Sequence, residues 1–166
     1  MTGNSICTCA PPGKWNTVLL EEFQFSDDVI IGDVVYYDDY CYESIVCEVY
    51  KGNLSIGEQI TGVNSRSCEP YVDNDGEWIL YGSYNTHFIT NDCGGSTSVE
   101  NPRFPIALAP PAVPNGQALK TKSQLSKVRE RFILERAIEL RGVISQQIAL
   151  LRELAITPAY KNKDMN

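Results

Sequence analysis

Asp28-Val-Ile-Ile-Gly-Asp-Val-Val-Tyr-Tyr37 is the stretch on which the fold turns. Rich in Val, Ile and Tyr, it reads as a strand. Gly32 stands inside it, and a glycine within a strand lets the chain bend round a barrel corner. Four more strand candidates follow. They are Glu43–Tyr50, closed by Lys51-Gly52-Asn53; Glu58–Val63, running toward Cys68; Glu77–Tyr84; and Thr86–Asn91, leading into Cys93. Asp75-Gly76 marks the turn before the fourth strand, and Asn85 a tight turn after it. Five short strands with turn signals between them are what a small closed barrel needs.

Working outward, Cys7-Thr-Cys-Ala-Pro-Pro-Gly13 carries two prolines that fix φ and remove donors, so it is extended. Asn16 or Thr17 can cap a short helix through Val18–Phe23, with Leu19, Leu20 and Phe23 at helical spacing. A short strand is the alternative there. Beyond the barrel, 101–122 is a stiff linker with Pro102, Pro105, Pro110, Pro111 and Pro114, expected to lie along the barrel through Phe104, Ile106 and Leu108. Residues 123–157 read as a long amphipathic helix, capped by Ser123 or Ser126 and ended at Thr157-Pro158. Ile133, Ala137, Leu140, Ile144, Ile148 and Leu151 form its apolar stripe. At roughly 50 Å the helix outruns a barrel of about 30 Å. It therefore pairs with another copy, or bends at Gly142 and folds back. The expected organisation is a barrel at 7–100, a linker at 101–122 and a helical extension at 123–157, with a frayed end at 159–166.

Charge divides the chain. Residues 1–119 hold 4 Lys+Arg against 16 Asp+Glu, while residues 120–166 hold 10 against 5. An acidic body argues against a phosphate-binding surface and hence against nucleic acid. A basic tail on an acidic body suggests that the two dock, within one chain or between two; a helix with merely solvated charges is the other reading. No run of 18 apolar residues is present, so no helical membrane span is expected.

Six cysteines, Cys7, Cys9, Cys41, Cys47, Cys68 and Cys93, all lie in the first 93 residues. An even number favours disulfides and an oxidising compartment: secreted, periplasmic or at a cell surface. Cys-x-Cys and Cys-x5-Cys do not have the spacing of a structural zinc site, and His87 is the sole histidine. No metal or cofactor is expected. Met1–Ile6 lacks the charged start and apolar stretch of a signal peptide. The disulfide reading therefore expects a leader already removed, with Met1 added in cloning. Six cysteines allow 15 pairings, among which sequence does not choose.

The Cys framework in its strand context resembles the netrin-like domain, specifically the amino-terminal domain of the tissue inhibitors of metalloproteinases. Cys7-Thr-Cys-Ala-Pro-Pro12 is similar to that family's opening. The short helix feeding Ser26–Val34 is similar to its first strand. Glu48-Val-Tyr-Lys-Gly52 and Ile89-Thr-Asn-Asp-Cys93 look like the ends of its second and fifth strands. The resemblance covers about residues 7–95. It implies a mainly β fold, a five-stranded OB-type closed barrel with a short N-terminal helix, to which the long C-terminal helix is added. It also implies bridges Cys7–Cys68 and Cys9–Cys93, each worth roughly 4 kcal/mol in the chain-entropy model. Cys41 and Cys47 remain, and are expected to close a small loop between themselves. In the family the first cysteine is the mature terminus, and its free amine and carbonyl grip a protease's zinc. By position this would make Cys7, Thr8 and Cys9 the protease-binding wedge. Six residues precede Cys7 here, and they make its nitrogen an amide, so that role requires processing to start at Cys7.

Other signals point less far. Asp73-Asn-Asp-Gly-Glu77 has the wrong glycine position for an EF-hand and reads as a polar turn. Tyr36, Tyr37, Tyr40 and Tyr42 around Asp38-Asp39 suit a contact surface, but an ordinary loop with tyrosines half-buried on the barrel is the expectation. His87 is expected to be structural, in a strand beside Phe88. No nucleophile–base pair or carboxylate pair can be argued. Asn53-Leu-Ser55 is a glycosylation sequon if the source is eukaryotic. The expected function is a disulfide-stabilised protein-interaction module, not an enzyme. Its partner is another protein, with a zinc metalloproteinase as the alternative target and a homodimer through the C-terminal helix as a further possibility.

Overall fold

The computed structural model describes residues 13–64, 70–102 and 122–158, with only some side chains in 122–137. Its elements are α1 (Trp15–Phe25), β1 (Asp28–Tyr37), β2 (Cys41–Lys51), β3 (Gln59–Val63), β4 (Gly76–Tyr84), β5 (Phe88–Thr90), β6 (Thr97–Ser98) and α2 (Lys122–Ile156). The sheet order is β1-β2-β3-β5-β4, and β4 returns to β1, closing a five-stranded barrel of OB type. Neighbours are antiparallel except β3 and β5, which meet in parallel at Gly62 and Phe88. β6 adds to β4 through Trp78–Ser98 and Ile79–Thr97. Nothing in the sequence signalled this two-residue strand, which is too short to show a period. The expected linker contacts of Phe104, Ile106 and Leu108 lie outside the described residues.

Two cores share one sheet. Ile30, Val34, Tyr42, Val46, Ile60, Trp78, Leu80 and Phe88 fill the barrel. Val29, Ile31, Ile79 and Tyr81 point the other way and join Leu19 and Phe23 of α1 and Val143, Ile144, Leu151 and Leu154 of α2. β1 and β4 are therefore buried on both faces, which explains why each carries an unbroken apolar run rather than a strict alternation. The two helices are the lid on the outer face of these strands.

α1 starts at Trp15, earlier than expected, and neither Asn16 nor Thr17 is its cap. Lys14 holds that position in extended conformation with no side-chain cap bond, while Asn16 Oδ1 accepts the Thr17 N–H inside the first turn. The C-terminus is closed from outside the helix. Lys51 Nζ donates to the carbonyls of Phe23 at 3.0 Å and Gln24 at 3.3 Å, and to that of Ser26. A cation there satisfies carbonyls that have no helical partner and opposes the helix dipole. The root of the β1–β2 hairpin and α1 are thereby fixed to each other.

α2 is one continuous helix, with no break at Gly142. Leu140, Val143, Ile144, Ile148, Leu151 and Leu154 recur at three and four and face the barrel. Arg152 grips Glu48 of β2 with both Nε, at 3.0 Å from Oε2, and Nη2. This bond holds the Glu48 carboxyl below its usual range. The docking of basic tail on acidic body is thus in part a real charge contact within one chain. Further toward its start the helix exposes Lys127, Arg131, Leu134, Glu135 and Ile138. Leu134 and Ile138 are 62% and 61% exposed.

Gly82, in β4 where it pairs with β5, is a point of close backbone approach in the closure. A Cβ there would run into the Ile89 carbonyl oxygen and the Phe88 ring. Because backbone is in the way, the strands must separate to admit it. Gly82→Ala should cost about 1–3 kcal/mol, read as a lowered urea midpoint. An unchanged midpoint would show that the β4–β5 seam is looser than described.

Candidate functional site

The β1–β2 hairpin outruns the core that covers its root. The pairing steps from Val34–Ser44 to Tyr36–Glu43, so Val35 is a bulge. A bulge resets which face each side chain takes. Val34 points into the barrel, and Tyr36, two residues on, is exposed. Val35, Tyr37 and Tyr40 are exposed as well, Tyr40 to 74%. Tyr42 behaves in the opposite way. It is completely buried, its ring filling the space where Gly62 has no side chain. The expectation of half-buried tyrosines on an ordinary loop is therefore corrected: three face solvent and one belongs to the core.

Asp38 organises this end. Its Oδ1 accepts the backbone N–H groups of Tyr40 at 2.8 Å and Cys41 at 2.7 Å, and its Oδ2 accepts the Tyr36 hydroxyl at 2.9 Å. An aspartate closing the backbone two and three residues ahead of itself substitutes for a second ladder pair. These three bonds, the two to backbone first, hold its carboxyl below the usual carboxylate range. The Tyr36 phenol is pushed up by the same bond.

Asn64 fastens the hairpin tip to the segment before β4. It is buried, donates through Nδ2 to the carbonyls of Asp38 at 2.9 Å and Val72 at 2.8 Å, and accepts the Val72 N–H at 3.0 Å. Its backbone N–H reaches the Tyr40 carbonyl at 2.8 Å. Tyr71, set in place beside Val72, donates to Asp39 Oδ1 at 2.7 Å, which raises its phenol. The result is a fixed end bearing Tyr36, Tyr37, Tyr40 and Tyr71 with two carboxylates between them. Neither Asn64 nor Tyr71 stood out in the sequence, because each acts across a separation that no periodicity reveals.

The cysteine expectations divide. Cys93 is disulfide-bonded and sits with φ of 54°, a left-handed backbone rare outside glycine. Its implied partner Cys9 lies outside the described residues, as do Cys7, Thr8 and Cys68. The expected bridge between Cys41 and Cys47 is corrected, since both are free thiols. They stand six residues apart on one continuous strand, roughly 20 Å, whereas a disulfide needs Cα atoms within about 7 Å. Burial and, for Cys41, the neighbouring Asp38 push both thiols up. His87 is exposed in the loop before β5 rather than inside a strand, with Nδ1 at 3.2 Å from Thr86 Oγ1. Asn53 is exposed in the β2–β3 turn. Gly76, the first residue of β4, takes φ of 91° where the polar turn enters the strand.

Near Cys93 a polar tie joins the loop after β5 to α1. Asn91 Nδ2 donates to Glu22 Oε2 and to Ser26 Oγ, each at 2.8 Å. Burial raises the Glu22 carboxyl above its usual value of 4.5, against the pull of the bonds from Asn91 and Gly95. The folded state therefore keeps this proton to higher pH than the unfolded chain does. The stability it contributes is present below pH 4.5 and lost as pH rises through the raised value. Glu22→Gln keeps an oxygen for Asn91 and cannot ionise. Its stability relative to the parent should rise from acid toward neutral pH in urea titrations. A difference that is flat with pH would contradict this account.

No protein-family model matches the chain and no curated protein matches it.

Proposed function

We propose that the chain is a secreted or cell-surface, disulfide-stabilised protein-interaction module, not an enzyme, and that it binds its partner through the tyrosine end of the β1–β2 hairpin. The observation that carries this reading is the set of four exposed tyrosines on a backbone held by Asp38 and Asn64. Tyrosine supplies a large contact area at little entropic cost, and a fixed backbone leaves little more to order on binding. In OB-type barrels the β1–β2 loop is a recurrent place for ligand contacts. The disulfide at Cys93 supports an oxidising compartment.

A photoreactive phenylalanine analogue at Tyr40 tests the site in the fluid bathing the source cells. It should give one discrete covalent adduct, and the same group at Ile56, equally open at 72% exposure in the β2–β3 turn, should give none. Labelling that is absent, or equal at both positions, sinks the assignment.

Leu134 and Ile138 on the early half of α2 support a second contact, with another copy of the chain. Apolar side chains four apart on a helix that leaves its barrel gain by pairing. Sedimentation equilibrium should show a dimer that Leu134→Glu with Ile138→Glu abolishes. A monomer at all concentrations removes this reading.

A further inference from the structure

We infer that the tyrosine end takes an arginine-bearing protein segment, a partner recognised by guanidinium groups lying on the exposed rings. The inference rests on the interaction reading given above and names the chemistry of the partner.

Three features point to a cation. The first is local charge. Asp38, Asp39 and Glu43 stand among the rings, and residues 28–100 contain 13 Asp+Glu but only 2 Lys+Arg. One of these two, Lys51, is spent at the opposite end of the hairpin on the carbonyls that close α1. Among the described residues 28–64 and 70–100 Lys51 is the one cation and it is held elsewhere, so the acidic groups beside the rings favour a positive partner.

The second feature is where the hydroxyls go. Tyr36 and Tyr71 donate their protons to Asp38 and Asp39. A phenol that donates to a carboxylate carries a more electron-rich ring, and the ring faces attract cations through their negative quadrupole.

The third feature separates a cation from a sugar, the other ligand that aromatic and carboxylate surfaces accept. A sugar needs free acceptors for its hydroxyls. Here Asp38 already accepts two backbone N–H groups and a hydroxyl, and Asp39 accepts another. Much of their bonding capacity is committed while their charge remains. That arrangement attracts at a distance and stacks at contact. Arginine meets it better than lysine, because a planar and weakly hydrated guanidinium lies flat on a ring, whereas an ammonium keeps its water.

The test is calorimetric titration of the full chain with a short arginine-rich peptide, its lysine counterpart of equal length and charge, and a neutral oligosaccharide. The arginine peptide should bind about three- to tenfold tighter than the lysine peptide. Its affinity should fall with salt, and Tyr40→Ala should remove most of the arginine preference. Tyr40 makes no side-chain hydrogen bond among the described residues, so this variant keeps its fold, as circular dichroism will verify. Tyr71→Phe keeps the ring and removes the bond to Asp39, and should give an intermediate loss. Equal affinity for the two peptides, binding of the oligosaccharide alone, or no binding at all would each overturn the inference. So would a salt-sensitive dimer abolished by Tyr40→Ala, which would give the surface to a second copy. Cross-linking at Tyr40 to a partner, together with equal peptide affinities, would remove the arginine inference and leave the interaction site standing.

Discussion

Burial of β1 and β4 on both faces is the constraint from which the rest of the molecule follows. Val29 and Ile31 on β1, and Ile79 and Tyr81 on β4, face away from the barrel. Left open to water they would form a continuous apolar surface, at a cost of roughly 25 cal/mol for every Å² exposed. α1 and the later half of α2 cover it. Their fastening follows the same logic: Lys51 closes the end of α1, Asn91 ties Glu22 and Ser26 to the loop after β5, and Arg152 holds Glu48. The helices complete a core that the barrel alone leaves half-made.

The same constraint leaves one end of the hairpin uncovered. Beyond Val34 the inner core ends, the bulge at Val35 turns Tyr36 outward, and neither α1 nor α2 lies over Val35, Tyr36 or Tyr37. Hydrogen bonds take over from packing there. Asp38 closes the turn, and Asn64 joins it to Val72 through buried bonds. Unsatisfied, those buried groups would cost about 1–3 kcal/mol each, so the surface is held in shape by its own backbone. Apolar rings on a fixed scaffold with net negative charge are what a docking surface for a cationic partner requires, and among the described residues of the barrel the one cation, Lys51, is held at the other end of the hairpin.

Several particulars show how far the sequence could be read. The run Asp28–Tyr37 coincides with β1, and the stripe Leu140, Ile144, Ile148 and Leu151 faces the barrel as its spacing requires. These signals are local and periodic, and burial enforces them. Cys41 and Cys47 misled because nearness in sequence is not nearness in space on an extended strand. Tyr36 and Tyr42 share a residue type within one hairpin, and only the bulge and the bare surface of Gly62 send one outward and the other into the core.

The amino-acid sequence by itself determined the barrel class, the five main strands, the long C-terminal helix and the separation of negative body from positive tail, because each is written in composition or in a short period. The tertiary structure alone decided which tyrosines meet solvent, which residue pins the hairpin tip, which cation meets which carboxylate and that α2 runs straight through Gly142. Those outcomes depend on register, bulges and contacts between residues 26 to 104 positions apart, and no local pattern carries information over that distance.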